Sequence, residues 1–164
     1  MIAASPAAKA ARIAELTRDI SEILDGESEA LVRLIAQSSG TGGTAKAAGA
    51  TEPEEKIAFH SPCTLQHGQR VRGLVEKIMI TAGFELTHVP DAHLCCGSAG
   101  TYSILQPELS RQLLDNKVRS LESGAPARIA TANIGCLMHM RGGTTLPVEH
   151  WIELLDEKLS GTSA

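Results

Sequence analysis

Aromatic side chains are scarce in this sequence: two Phe, one Tyr and one Trp make up 2% of 164 residues. A core built almost without rings must be aliphatic, and with 43% hydrophobic residues there is enough Leu, Ile, Val and Ala to build one. Long apolar runs are missing as well. No stretch approaches the ~20 residues that a bilayer span needs. The Ala-rich start is interrupted by Lys9, Arg12 and Glu15, so it does not read as a secretory leader. There is no basic excess, since the formal net charge is −4, and this argues against nucleic acid as a partner. A Gly-x-Gly-x-x-Gly fingerprint is also absent, which leaves the chain without an obvious dinucleotide or flavin cradle. The expectation is one domain with an appendage in a cytoplasmic, reducing compartment. There, four cysteines serve metal or redox chemistry more often than disulfides.

What is present is unevenly spread. Residues 1–55 carry five Lys/Arg against nine Asp/Glu and neither Cys nor His; residues 56–164 carry ten of each sign, all four Cys and all six His. The chemistry therefore belongs to the second part. In the first, Ile13, Leu16, Ile20 and Leu24 recur at helical spacing and predict one helix over Ala7 to Leu24, with a second short stripe at Leu31, Leu34 and Ile35. The small, glycine-containing stretch that follows reads as a tether. The predicted organisation is a helical segment over 1–35, a flexible linker over 36–55 and a cysteine-rich domain over 56–164. A helical pair on such a tether has little of its own to pack against, so it is expected to dock on another domain or to be cut from one.

From Lys56 the pattern alternates. Ile57–His60, Phe84–Val89, Arg128–Ala132 and Leu146–Val148 read as strands. Between them, Val71, Leu74, Val75, Ile78 and Met79 trace a helix face closed by Gly83, and Pro107 opens a helix closed by Gly124. Gly135 opens a short helical turn and Trp151–Leu159 a last amphipathic helix. Strands alternating with helices imply parallel βαβ units, an α/β layered fold with a small parallel sheet. On that map Cys63 follows the first strand, Cys95 and Cys96 the second, and Cys136 the third. Parallel strands end on one edge, where open α/β sheets bind ligands, so the four sulfurs are expected together there. His139 joins Cys136 in a Cys-x-x-His arrangement.

Several chemistries use such a donor set. A structural zinc site takes four ligands, usually as two close pairs, and only Cys136/His139 forms one here. Adjacent thiolates such as Cys95 and Cys96 reach different atoms of an iron–sulfur cluster more readily than one small ion. Metal-free thiols, as core residues or as a switch at Cys95-Cys96, remain a third reading. His60, His67 and His93 flank the motif and read individually as ordinary turn or surface histidines. Trp151 reads as core, and Gly97 and Gly100 as turn glycines or as backbone relief beside a cluster.

The words around these residues narrow the choice. Cys63, Cys95-Cys96-Gly97 and Cys136-x-x-His139 resemble the cysteine-rich CCG domain of heterodisulfide reductases and related proteins. His60-Ser61-Pro62-Cys63-Thr64-Leu65-Gln66-His67-Gly68, His93-Leu94-Cys95-Cys96-Gly97-Ser98-Ala99-Gly100-Thr101-Tyr102, Thr131-Ala132-Asn133-Ile134-Gly135-Cys136 and His150-Trp151-Ile152-Glu153 resemble the C-terminal CCG domain of glycolate oxidase iron–sulfur subunits. That resemblance implies a 4Fe-4S-type cluster, cubane or non-cubane, held by Cys63, Cys95, Cys96, Cys136 and His139, with no catalytic residue on this chain. It further implies flavin-containing partner subunits that oxidise glycolate to glyoxylate, and electrons passed on to quinone. The remainder of the iron–sulfur subunit would be another partner, and the complex would associate peripherally with the inner face of the membrane. Two departures stand out: His139 occupies the last position of a motif that commonly ends in Cys, and the cysteines of ferredoxin-type clusters and of an earlier CCG repeat are not in these 164 residues.

Overall fold

The structure, a computed structural model, describes residues 5–41 and 55–160. At its centre β1 (Lys56–His60), β2 (Glu85–Leu86), β3 (Arg128–Thr131) and β4 (Val148–His150) form an all-parallel sheet in the order β2-β1-β3-β4. Three helices precede it: α1 (Pro6–Leu16), α2 (Ile20–Gly26) and α3 (Ser28–Thr41). The crossovers carry α4 (Leu74–Thr81) from β1 to β2, α5 (Tyr102–Leu105) and α6 (Pro107–Glu122) from β2 to β3, and α7 (Ile134–Arg141) from β3 to β4; α8 (Trp151–Ser160) closes the domain. This is the expected α/β layered fold.

Strand side chains alternate between the two faces, and the core divides accordingly. Ile57 and Phe59 of β1 point to one face, where Val75, Ile78 and Met79 of α4 and Trp151, Leu154 and Leu155 of α8 cover them. Ala58 and Ile129 point to the other, beneath Leu114, Val118 and Leu121 of α6 and Leu137 and Met140 of α7. Cys96 is buried in this second layer, with Cys136 packed at its margin. His60, two residues beyond Ala58, has the same parity and falls on the same face.

The helix ends follow local chemistry. Gly83 adopts φ 84° just past α4. Its N–H bonds to the Ile80 carbonyl and that of Phe84 to the Met79 carbonyl, the paired closure a left-handed glycine permits. Asn133 caps α7 through its side-chain oxygen, which accepts from the Cys136 N–H at 3.1 Å.

Two expectations need correction. The stripe over Ala7–Leu24 is not one helix. Asp19 starts a new one, its carboxylate accepting from the Ser21 N–H at 3.0 Å while Glu22 accepts from the Asp19 N–H at 2.8 Å. That reciprocal cap outweighs continuity of the stripe, and Ile13 and Leu16 of α1 lie exposed. The second strand is also shorter than Phe84–Val89. Only Glu85 and Leu86 pair with β1, opposite Lys56 and Ile57, before the chain turns away through Asp91 at φ 50° toward the cysteines.

Helices α2 and α3 dock on the domain's own α4/α8 face. Leu31 is buried against it, Leu24 and Ile35 pack alongside, and Lys77 of α4 pairs with Asp25. Helix α3 continues to Thr41, past the expected start of the linker at 36, and residues 42–54 of that linker lie outside the described residues. Leu31→Ala should lower unfolding free energy by about 2–3 kcal/mol in urea titrations, whereas Leu34→Ala, at an exposed position on the same helix, should change it by less than ~0.5 kcal/mol.

Candidate metal centre

The strand order places a switch point between β1 and β3. From β1 the chain crosses to β2 on one side, and from β2 it returns to β3 on the other. Beyond the carboxyl ends of these two neighbours lies the crevice where such sheets bind ligands, and all four cysteines meet there as free thiols. Cys63 sits where β1 gives way to a π-helical turn over Thr64–Gln69. Pro62 closes this turn by accepting from the N–H groups of Leu65 and Gln66, each at 3.0 Å. Cys136 lies in the first turn of α7, its own N–H taken by the Asn133 cap.

The loop carrying Cys95 and Cys96 is shaped by its glycine. Gly97 sits at φ 91°, and its N–H donates to the Cys95 sulfur at 3.3 Å. A Cβ there would stand 2.4 Å from the Ser110 carbonyl oxygen, so the reading of Gly97 as backbone relief holds on steric grounds. Two serines fasten the loop. The Ser98 hydroxyl donates to the Gly135 carbonyl at 3.0 Å, tying it to α7, and the Ser110 hydroxyl donates to the Gly97 carbonyl at 2.9 Å, tying it to α6.

The thiols perturb one another strongly. Cys96 is drawn down to about 4, chiefly because Cys136 donates its S–H to it, with burial working in the opposite direction and His60 adding to the pull. Cys136 is correspondingly pushed up by that same hydrogen bond, by burial and by the neighbouring thiolates. Cys63 is pushed up to about 11 by burial and then by Cys95. Four thiols in mutual contact do not ionise independently, and a metal centre that replaces their protons removes the conflict. Lys117 of α6 supplies a buried cation beside them. Its ammonium donates to the carbonyls of Asp91 at 3.2 Å and Ala92 at 3.0 Å, and burial depresses its pKa while the thiolates of Cys63, Cys96 and Cys95 hold it up. Nothing in the sequence pattern singled out Lys117; only its helix register, facing inward beside Leu114, Val118 and Leu121, could have done so.

The histidines fall differently from the sequence reading. His67 and His93 are exposed, as expected of turn residues. His139 is half-buried, with Nε2 3.3 Å from the Ser110 oxygen. His60, read as an ordinary turn histidine, is instead 1% exposed at the end of β1. Neither of its ring nitrogens makes a well-formed hydrogen bond among the described residues, and the polar group it acts on is the Cys96 sulfur. A ring nitrogen of His60 and the sulfurs of Cys96 and Cys136 all lie within 4.8 Å of one another. The donor set fits a thiophilic metal or an iron–sulfur cluster: soft sulfur ligands in excess of what one ion needs, a buried unsatisfied imidazole, and a nearby cation to offset negative charge.

An α/β domain with clustered thiols at its switch point defines a class, and the sequence match agrees with it. Residues 57–141, more than half of the chain, match the family model of the CCG cysteine-rich domain, and the chain belongs to that family. It is similar to the glycolate oxidase iron–sulfur subunit of Escherichia coli K12, 46% identical over 151 residues that make up 92% of this chain and 33% of that protein. It is also similar to lactate utilization protein A of Bacillus licheniformis, 32% identical over 64% of this chain and 47% of that protein. The same protein of Bacillus velezensis is 35% identical over 54% and 37% respectively. The chain thus spans from a third to just under half of the length of these relatives.

Three substitutions test the architecture of the centre. Gly97→Ala should cost at least about 2 kcal/mol, from left-handed strain plus the clash with Ser110, while Gly100→Ala, at φ 60° but facing open space, should cost about 1 kcal/mol. Lys117→Met keeps the volume but strips the donor from two carbonyls, and should lose about 1–3 kcal/mol. Chemical denaturation of the three variants against the parent measures both.

Proposed function

We propose that this chain is the cysteine-rich part of an iron–sulfur electron-transfer subunit in a glycolate oxidase complex. Its thiols hold a 4Fe-4S-type cluster that relays electrons from flavin-bearing partner subunits toward quinone. The observation that carries the reading is the convergence of four thiols and a buried imidazole at the switch point of a chain 46% identical to a glycolate oxidase iron–sulfur subunit. Oxidation of glycolate to glyoxylate releases two electrons and two protons, which a flavin accepts together and passes on singly. The bound cluster would supply the one-electron carrier.

The chain's own residues prepare the place for it. Cys63, Cys95, Cys96 and Cys136 present thiolates, Lys117 offsets their charge, and the layers above and below keep water from the inner sulfurs. Among the described residues no helix is long and apolar enough to cross a membrane; contact with the membrane quinone pool is assigned to the assembled complex at the inner face. The similarity to two lactate utilization proteins favours a second substrate of the same chemical class, lactate, for the partner flavin. Zinc in a structural role is the rival use of the same donors, favoured by the compact group of His60, Cys96 and Cys136.

Metal and sulfide analysis of anaerobically purified protein decides between them. Iron with acid-labile sulfide in near-equal amounts is expected, and Cys96→Ser should reduce both to background while the fold persists by circular dichroism. Zinc without sulfide would replace the electron-transfer reading with the structural one. In the assembled complex, bleaching of the cluster's visible absorption by glycolate or by lactate identifies the substrate.

A further inference from the structure

We infer that His60 is the imidazole ligand of the centre, forming with Cys96 and Cys136 an inner three-donor nest for one metal atom, while Cys63 and Cys95 serve the outer part of the site. The inference rests on the electron-transfer reading above and refines its ligand set.

Burial and chemistry converge on this residue. A buried polar atom left unsatisfied costs about 1–3 kcal/mol, and the His60 ring, with no well-formed hydrogen bond among the described residues, has the sulfurs of Cys96 and Cys136 as its polar neighbours. Nothing hydrophobic in its packing requires an imidazole, since the position continues the face of Ala58. Its strand pins it: the His60 carbonyl accepts from the Thr131 hydroxyl at 3.1 Å, and the two residues are register partners across β1 and β3. The backbone is therefore fixed on both sides of the crevice, and the ring is delivered to the sulfurs rather than to solvent.

The separations suit a single metal atom. Donors around a tetrahedral ion with metal–sulfur bonds of ~2.3 Å and metal–nitrogen bonds of ~2.0 Å stand roughly 3.6–3.8 Å apart. The three donors here lie within 4.8 Å of one another, so side-chain adjustments of about 1 Å complete the geometry.

His139, the imidazole expected from the Cys-x-x-His spacing, is otherwise engaged. A serine hydroxyl has one proton, and that of Ser110 goes to the Gly97 carbonyl. The Ser110 oxygen therefore accepts from His139 Nε2–H, which commits that nitrogen as a donor. His139 braces the cysteine loop through Ser110, and His60 faces the metal. A neutral imidazole in place of a thiolate removes one negative charge from the buried side of the cluster, which favours reduction.

The test reads nitrogen directly. The protein is purified anaerobically with its accompanying subunits, its centre is reduced, and pulsed electron paramagnetic resonance is recorded with natural-abundance and 15N-histidine samples. A strongly coupled histidine nitrogen is expected. It should persist in His139→Ala and vanish in His60→Cys, which should keep its iron and sulfide but show a lower midpoint potential. Iron and sulfide without strong nitrogen coupling in the parent protein overturn the His60 assignment and leave the electron-transfer reading standing, and this outcome needs no variant to fold. Coupling that vanishes in His139→Ala also overturns the assignment. Protein that carries neither iron nor sulfide overturns both readings together.

Discussion

Everything at the metal centre depends on the pairing of β1 with β3. The two strands run side by side in the same direction, with Ile57 opposite Arg128 and His60 opposite Thr131. Chain leaving the end of either strand must therefore emerge at the same place, although the two are remote in sequence. The crossover helices α4 and α6 lie on opposite faces, and the loops that carry the cysteines lie beyond the strand ends. The second strand contributes by being short: because pairing stops at Leu86, the segment after it is released toward the crevice instead of continuing the sheet.

Bringing four thiols to one point raises an electrostatic difficulty that the neighbouring residues answer in different ways. The proton shared between Cys96 and Cys136 lets the inner pair carry a single negative charge. Lys117 places a cation against the outer thiols, but only by anchoring its ammonium on the carbonyls of Asp91 and Ala92. The loop is held by hydrogen bonds from the Ser98 and Ser110 hydroxyls and by burial of Cys96 among the side chains of α6 and α7. Side chains fixed in this way lose little further freedom when they take up a ligand.

Much of this was legible in the residues. The alternation after Lys56 reveals a parallel sheet, and strand-end placement alone brings Cys63, Cys95, Cys96 and Cys136 to one edge. The failures have local causes. Hydrophobic periodicity ran straight through Asp19, because a stripe says nothing about a cap that interrupts it. The burial of His60 beside Cys96 and Cys136 was missed because it arises only through the parity of β1 and the pairing of strands distant in sequence. Lys117 looked like one more charge on a helix; its burial depends on a loop 25 residues away whose carbonyls it satisfies.

The separation of β1 and β3 along the chain also sets an order of events. The hydroxyl of Thr131 and the carbonyl of His60 that it bonds are 71 positions apart, and contacts of such range form late because the intervening chain must first be closed into a loop. Helices α4 and α6 can form locally well before that. Until the central strands meet, Cys63 and Cys136 belong to separate parts of a collapsing chain, open to oxidation and to mispairing with other thiols. The thiols of Cys63 and Cys136 can therefore come together only once the central pairing has formed.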